Sequence, residues 1–521
     1  MMGQIEQENS YGPFRLEVTG KLVPKSGFRI GSADSLSLYT DLPVLRWEAG
    51  RNGRPYIPGS SLRGVLRAHL ERENWLLGFA DKQVLLSLFG YAPKDAHAKT
   101  PSSRGRLRVM DSLLESASPS STEIRDHVRI DPDTGAASEL AKFDAEHVVK
   151  AQNQSFPLHL IYEGESKDDA ELVLLGEAVR ALVDEELAIG SRASIGFGRF
   201  KLDSVQFKVF NRVTPEGLRS FLADRLDSQS RLAEHADSFV FPKSTDAPIH
   251  SANRDNLHPL HRLMFELSIP CNGPMLVKEG APPQAIAKDL VATGTPGATF
   301  LTTLDAPDHG QVGAYPLIPG ASIRGVLRHR AEKICTAQRL GSGPALWLFG
   351  SKKDEGVDTE RRGLVQFDDC ILSGMAEAVS SDHVAVDRIT HAAADGAKFD
   401  DRALNGPLLT VIIRTQFTDD SEDRVAIALL LFLIKDLLAD GSGIAFGSQT
   451  SRGYGSLYRA KLTRLSGSLH GVRPKAKNDK EICPGRWVFE FCEKATETPW
   501  KQLCANFDSD WKSAPRAVRH D

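Results

Sequence analysis

Hydrophobic and polar positions alternate in two stretches separated by half the chain. Phe14, Leu16 and Val18 are interleaved with polar or charged residues, and Phe265, Leu267 and Ile269 repeat the pattern. Period-two alternation predicts a half-buried strand at the opening of each half. The spacing then becomes helical, with Leu62, Val65, Leu66, His69 and Leu70 on one face in the first half and Ile323, Val326, Leu327, Ala331 and Ile334 in the second. A second apolar-periodic helix is predicted over 171–187 and over 422–438. Each runs into a glycine-rich loop and then strand residues, Phe200-Lys201-Leu202 or Leu457-Tyr458-Arg459. Strand, helix, middle strands, helix, strand is the order of a ferredoxin-like split β-α-β unit. The expectation is two α+β domains of this ferredoxin-like, RRM-like kind with antiparallel sheets.

The two halves share residues as well as periodicity. Ile57-Pro58-Gly59-Ser60-Ser61-Leu62-Arg63-Gly64-Val65-Leu66-Arg67 returns as Ile318-Pro319-Gly320-Ala321-Ser322-Ile323-Arg324-Gly325-Val326-Leu327-Arg328. Leu88-Phe89-Gly90 is answered by Leu348-Phe349-Gly350, His127-Val128 by His383-Val384, and Lys142-Phe143-Asp144 by Lys398-Phe399-Asp400. Gly190 to Gly198 is answered by Gly447 to Gly455. A nearly constant offset of about 260 residues makes this a tandem duplication of a whole domain rather than a short-period solenoid. The copies are placed at 13–208 and 263–463, joined by a polar connector at 209–262 with helical character around Thr214–Ala233. Residues 464–521 have no counterpart in the first half, and a Gly/Pro/Ala-rich insertion at 278–314 enlarges the second.

Composition narrows the class. The net charge of −4 does not advertise nucleic-acid binding, yet residues 1–110 carry 16 Lys and Arg against 10 Asp and Glu, which leaves room for a local basic groove. The six cysteines form no C-x-x-C pair, so no structural zinc is expected. The longest apolar run, Val425 to Ile434, is far short of the roughly 20 residues that span a bilayer, and the N-terminal residues lack a signal pattern. The expectation is a cytoplasmic protein with no membrane partner.

Three shared elements carry candidate chemistry. A P-G-x-S turn opening a helix can cradle a phosphate, because the helix N-terminus presents unpaired N–H groups and its dipole favours an anion. Gly59 and Gly320 allow close backbone approach, Ser60, Ser61 and Ser322 are natural N-caps, and Arg63 with Arg67, like Arg324 with Arg328, share one helical face. The same pattern also describes a capped helix with solvated arginines. Ser194, Gly196 and Gly198, and Arg452, Gly453 and Gly455, admit a nucleic-acid backbone, with Phe197 and Tyr454 as stacking surfaces, or else form a tight helix-to-strand connection. Alternating β-branched residues around His127 and Arg129, and around His383 and Arg388, predict projecting hairpin arms. Asp41, in Asp41-Leu42-Pro43-Val44, and Asp305, in Asp305-Ala306-Pro307, are carboxylates on loops ahead of the P-G-x-S turns. Such a group can help a ribose 2′-hydroxyl attack its own phosphate or hold a divalent ion; it can equally be a turn former.

Together these residues resemble the RAMP superfamily of CRISPR proteins, in particular the backbone subunit of type III effector complexes. The I-P-G-S-S-L-R-G-V-L-R motif, the Arg129-Ile130-Asp131 segment with Thr134-Gly135 and the following Phe143-Asp144, and the glycine-rich loop carry the likeness. A tandem fusion of two such subunits is similar to the doubled backbone protein of type III-D systems. The resemblance implies two RAMP domains with inserted hairpin arms, partnered by CRISPR guide RNA, complementary target RNA and other type III effector subunits. It implies that the P-G-x-S helix ends and glycine loops grip the guide, while the arms carrying His127, Arg129, His383 and Arg388 insert into the guide–target duplex. It further implies that Asp41 cuts target RNA with Mg2+ or another divalent metal, leaving a cyclic phosphate. Asp305 matches D-x-P without the following valine, with Asp289 and Asp308 as alternatives. A catalytically silent scaffold and a guide-processing endoribonuclease using His127 or His383 remain the competing classes.

Overall fold

The computed structural model describes residues 12–32, 40–47, 53–72, 82–91, 102–115, 122–131, 137–150, 154–226, 239, 241, 260–278, 301–303, 315–351, 360–372, 377–441, 443–469, 480–483, 486–490, 497–514 and 516. Two units emerge. The first takes the described residues of Met1–Glu123, Glu146–Ala193 and Phe197–Pro259; the second takes those of Ile124–Ala145, Ser194–Gly196 and Leu260–Asp521. The boundaries expected from the duplication follow the two copies. The contacts instead assign the first copy's hairpin, and three residues of its glycine-rich segment, to the second unit.

In the first unit β1 (Phe14–Pro24) leads to α1 (Gly59–Arg72), α2 (Lys82–Phe89), β2 (Leu107–Val109), β3 (Phe156–Gly164), α3 (Ala170–Val183) and β4 (Phe200–Asn211). The sheet order is β4–β1–β3–β2, with antiparallel neighbours throughout. This is the strand order that two split β-α-β crossings produce, so the α+β expectation holds. The apolar side of β1 buries Leu16, Val18 and Leu22 under α1 and α3, which contribute Leu62, Leu66, Leu172, Leu175 and Val179. Phe28, Phe156 and Phe200 meet edge to face with centroids 4.9–6.0 Å apart. Strand β4 runs past residue 208, and α4 (Pro215–Leu226) follows, with Thr214 Oγ1 accepting the Gly217 N–H at 3.1 Å as an N-terminal cap. The rest of the predicted connector helix, 227–233, lies outside the described residues. Phe239 and Phe241 pack on Phe207 of β4.

The second unit repeats the plan with β5 (His261–Asn272), α5 (Gly320–Ala337), α6 (Gly343–Phe349), β6 (Val365–Phe367), β7 (Leu408–Phe417), α7 (Ser421–Leu437) and β8 (Lys461–Ser468). Its order, β6–β7–β5–β8, matches the first unit and then continues through β10 (Arg486–Glu490) to β9 (Lys480–Cys483). Burial along β5 alternates from His261 to Cys271, as the period-two pattern requires. The strand expected at Leu457-Tyr458-Arg459 is displaced. Only Ser456–Leu457 pair with the end of β5, Tyr458 and Arg459 are exposed, and the long strand starts at Lys461. Residues beyond 463 are integral to this unit. In α8 (Glu497–Ser513), Leu503, Phe507 and Trp511 join its core, Trp511 lying 4.8 Å from the Phe432 ring, while Arg424 pairs with Asp510 at 2.9 Å. Among the described residues no helix is long and apolar enough to cross a membrane.

Both hairpin arms are present. The first pairs Thr122–Ile130 with Ala137–Val148, and the second pairs Glu377–Val386 with Ala393–Asn405. The Pro132–Gly135 turn of the first arm lies outside the described residues. In the second arm, Asp387 Oδ1 closes the turn by accepting the Ile389 and Thr390 N–H groups. Those bonds, that from Thr390 foremost, hold its carboxyl below the ordinary value.

Candidate nucleic-acid interface

The P-G-x-S turns are built alike. A Cβ on Gly59 would lie 2.1 Å from the Val109 carbonyl oxygen, and one on Gly320 2.2 Å from that of Phe367, so only glycine fits where the helix start presses on the neighbouring strand. The Gly59 N–H donates to Asp111 Oδ1 at 2.7 Å, and the Gly320 N–H to Asp369 Oδ1 at 2.7 Å. The first helical donor is therefore satisfied by a carboxylate about 50 residues downstream. This corrects the capping expectation. Ser60, Ser61 and Ser322 lie inside the first turn, and Pro319 is the N-cap of α5, without a side-chain bond. A protein carboxylate occupies the spot at which a phosphate would meet the Gly N–H, so the anion-cradle chemistry of this terminus is already used internally.

The arginines of the motif divide their roles. Arg63 donates to the Phe89 carbonyl and lies over its ring at 5.8 Å; Arg324 does the same with Phe349, also at 5.8 Å. The S-x-R-G and L-F-G motifs are thus two halves of one clasp, which accounts for their joint repetition. Arg67 pairs with Glu71 at 2.8 Å and Arg328 with Glu332 at 3.0 Å along the outer face.

The glycine-rich segments are tight returns. Gly198, at φ +82°, would place a Cβ 2.3 Å from the Ile189 carbonyl oxygen, and Gly455, at φ +67°, 1.8 Å from that of Phe446. Gly196 is buried, Ser194 half-buried, and Arg452 and Gly453 exposed. The intervening aromatics do not form open stacking platforms. Phe197 is buried against His147 at 5.1 Å, and Tyr454 is buried with its hydroxyl 3.4 Å from Asp401 Oδ1.

On the first arm His127 stacks on Phe143 at 5.2 Å, and Arg129 is exposed. On the second, His383 Nε2 is 2.8 Å from Asp401 Oδ2, which also accepts from Gln449, while Arg388 is exposed. Both arms hold apolar side chains in water: Val128, Ile130, Val384, Val386 and, at 88% exposure, Ile389.

Asp41 is exposed on a loop whose backbone is held from three directions in the first unit. Buried Arg29 donates to the Leu42 and Pro43 carbonyls at 3.3 Å each and to Ser191 Oγ at 3.4 Å. Glu146, at the foot of the first arm, accepts the Val44 N–H at 2.9 Å and pairs with Arg46 at 2.5 Å. Its own N–H donates to the Leu42 carbonyl. The loop therefore joins the arm foot to the start of the glycine-rich segment. Asp289, Asp305 and Asp308 lie outside the described residues. Sequence reasoning missed Arg29, Glu146, Asp111 and Asp369. The last two had a visible signal, an aspartate repeated just after the strand that follows each L-F-G motif. Among the described residues His69, Glu177 and Glu186 also bring ligand atoms within 4.8 Å of one another, but both glutamates are already bonded by Arg180.

Two ferredoxin-like units, each with a P-G-x-S helix start, a glycine-rich return and a hairpin arm, define a doubled RAMP protein. The RAMP superfamily's sequence profile matches residues 49–201 and 291–458, more than half of the chain, and the chain belongs to that superfamily. It is similar to the CRISPR system Cms endoribonuclease Csm3 of Enterococcus italicus, with 26% identity over 207 residues covering 37% of this chain and 92% of that protein. The relative is thus matched almost end to end by a minor part of this chain.

Proposed function

We propose that the chain is a guide-RNA-binding backbone subunit of a type III CRISPR effector and that its first copy cleaves complementary target RNA at Asp41. The observation that carries this reading is the exposed Asp41 carboxylate on a loop braced by the arm foot and the glycine-rich segment, in a chain similar to an endoribonuclease named Csm3. In this reading Ser60, Ser61 and Arg67, with Ser322 and Arg328, offer the guide polar and cationic groups beside the helix starts. The exposed apolar residues of the arms serve as wedges against bases, which makes use of surface that water penalises.

Asp41 accepts the 2′-hydroxyl proton as that oxygen attacks the adjacent phosphorus, the 5′-oxygen leaves with the P–O5′ electron pair and takes a proton from water, and a 2′,3′-cyclic phosphate remains. An exposed carboxylate supplying only oxygen suits Mg2+, which is commonly held by one or two carboxylates with water and substrate phosphate completing its shell. When bound, such an ion supplies charge neutralisation at the scissile phosphate. Arg29 and Glu146 do not touch substrate; they fix the backbone from which Asp41 projects.

The test is a cleavage map. The chain is assembled with guide RNA and the subunits encoded beside it and given end-labelled complementary RNA with Mg2+. Wild type is compared with Asp41→Ala, Asp305→Ala and the double variant. Asp41→Ala is expected to erase one cut by about 10³-fold with guide binding unchanged, a loss in the range of a single general base. An unchanged map from all four preparations would make the protein a scaffold.

A further inference from the structure

The first arm and the second copy's helix start make a contact that the first copy repeats only by half. In the second unit Asp369 joins two elements. Its Oδ1 accepts the Gly320 N–H, and its Oδ2 pairs at 2.7 Å with Arg125 of the first arm, whose side chain is 1% exposed. The glycine-rich Ser194–Gly196 segment closes over the same place: a Cβ on Gly196 would lie 2.6 Å from Asp368 Cα, and one on Gly320 3.0 Å from the Ile195 carbonyl oxygen. The second copy's helix start is thus a socket, filled by the arm and glycine segment of the copy that precedes it in the chain.

In the first unit the same helix start is built alike, and among the described residues no arm pairs with it. Asp111 bonds the Gly59 N–H at the same 2.7 Å, and Gly59 presses on Val109 as Gly320 does on Phe367. Among the described residues Asp111 has no ion pair, and it is exposed. Beside it Met110 is 46% exposed, where its counterpart Asp368 is 5% exposed. An apolar side chain and a carboxylate that already caps a helix are what the occupied copy covers with an arm.

We infer that Asp111 is the receptor for a β-hairpin arm of a different polypeptide, one presenting an arginine or lysine two residues before the arm histidine position. The first arm of another copy is excluded because Arg125 is committed to Asp369. The second arm is excluded because it carries Ser381 where the first carries Arg125, two residues ahead of His383 and His127 respectively. The chain therefore reads its own first arm internally, accepts a foreign arm at Asp111, and does not extend itself by this contact. A polar RNA phosphate is disfavoured at the same spot by the Asp111 charge. This inference names a partner for the assembly reading above but is tested without RNA or cleavage, so the two fail separately.

The experiment gives the second arm its missing charge. Full-length wild type, Ser381→Arg, and Ser381→Arg combined with Asp111→Asn are compared by sedimentation velocity without RNA across a concentration series. Ser381→Arg is expected to self-associate at least about thirtyfold more tightly than wild type, and Asp111→Asn to return it to wild-type behaviour, as a desolvated charge pair across an interface requires. No gain in association, a gain that survives Asp111→Asn, or Asp111-dependent oligomers of the wild type would each overturn the inference. Ser381 is half-buried on the arm strand, and circular dichroism spectra and thermal melts matching wild type establish that the variants fold.

Discussion

Replacing Glu146 with alanine tests the frame that holds Asp41. Glu146 is 1% exposed, and its carboxylate satisfies the Val44 N–H at 2.9 Å and the Arg46 guanidinium at 2.5 Å. Alanine removes both, so that of residue 146's own bonds to the loop only the one from its N–H to the Leu42 carbonyl remains, beside the bonds from Arg29. Arg46, whose side chain is 8% exposed, is then a buried cation without that carboxylate, which costs about 3–5 kcal/mol when one partner of a buried pair is deleted. The orphaned N–H belongs to the same loss, so about 3 kcal/mol is the working figure. Glutamine keeps an acceptor for Val44 and loses the charge, for about half that cost. Two units need not unfold in one step, so local opening is the sound measure. Amide exchange over residues 40–47, followed by mass spectrometry, is expected to accelerate about a hundredfold in Glu146→Ala and about tenfold in Glu146→Gln, with residues 408–417 unaffected. Target cleavage should fall in the same order while guide binding stays. If 40–47 exchanges at the wild-type rate in Glu146→Ala, the carboxylate does not hold this loop, and the positional argument for Asp41 falls with it.

Three further outcomes follow from buried groups. Glu17 is opposed by burial, but hydrogen bonds and charge from His159 and Arg15 outweigh it and lower its carboxyl from 4.5 to about 2. A lowered folded value means that its contribution is complete above pH 4.5 and lost as pH falls from about 4.5 to about 2; about 3 kcal/mol of first-unit stability should disappear across that window, and Glu17→Gln should flatten the acid limb of a denaturation series. Cys370 is pushed up to about 12, burial being the main cause, so native protein at pH 8 should leave it unlabelled by iodoacetamide while urea-unfolded protein labels it fully, as read by peptide mass spectrometry. Trp511→Ala should cost about 3–5 kcal/mol in the second unit, because the ring is 5% exposed against Phe432; calorimetry should show the second unit's transition moving down and the first unit's staying in place.

The fold was legible where local period and long-range burial agree. Phe14, Leu16 and Val18, or Phe265, Leu267 and Ile269, alternate because one face of each strand meets a helix layer, and that face is written into every second residue. Residues beyond 463 lack a partner in the first copy, so repetition alone reads them as an extension. Yet β8 ends at Ser468, β10 and β9 lengthen the sheet beside it, and Leu503, Phe507 and Trp511 fill the second core. Comparison between copies finds what is repeated and is blind to what one copy adds. Capping failed for a related reason. Serine inside a P-G-x-S turn is a strong local signal, whereas Asp111 and Asp369 reach the helix start from about 50 residues away, a distance at which sequence carries no geometric information.

The candidate site shows the same division between motif and use. The shared residues specify turns, clasps and arms: Gly59 and Gly320 press on a strand carbonyl, and Arg63 and Arg324 hold the L-F-G phenylalanine. What each copy does with those parts is set at positions outside the motifs. His383 meets Asp401 and lies near Tyr454, whereas the first copy has Ala145 in the place of Asp401 and its His127 stacks on Phe143 instead. Arg125 pairs the first arm with Asp369, whereas the second arm carries Ser381 at the matching position. A duplicated backbone plan tolerates such divergence because buried glycines and apolar faces determine whether a unit folds, while one charged residue on an arm determines what that arm can join. The two halves are therefore equivalent as folds and different in the charged residues their arms present.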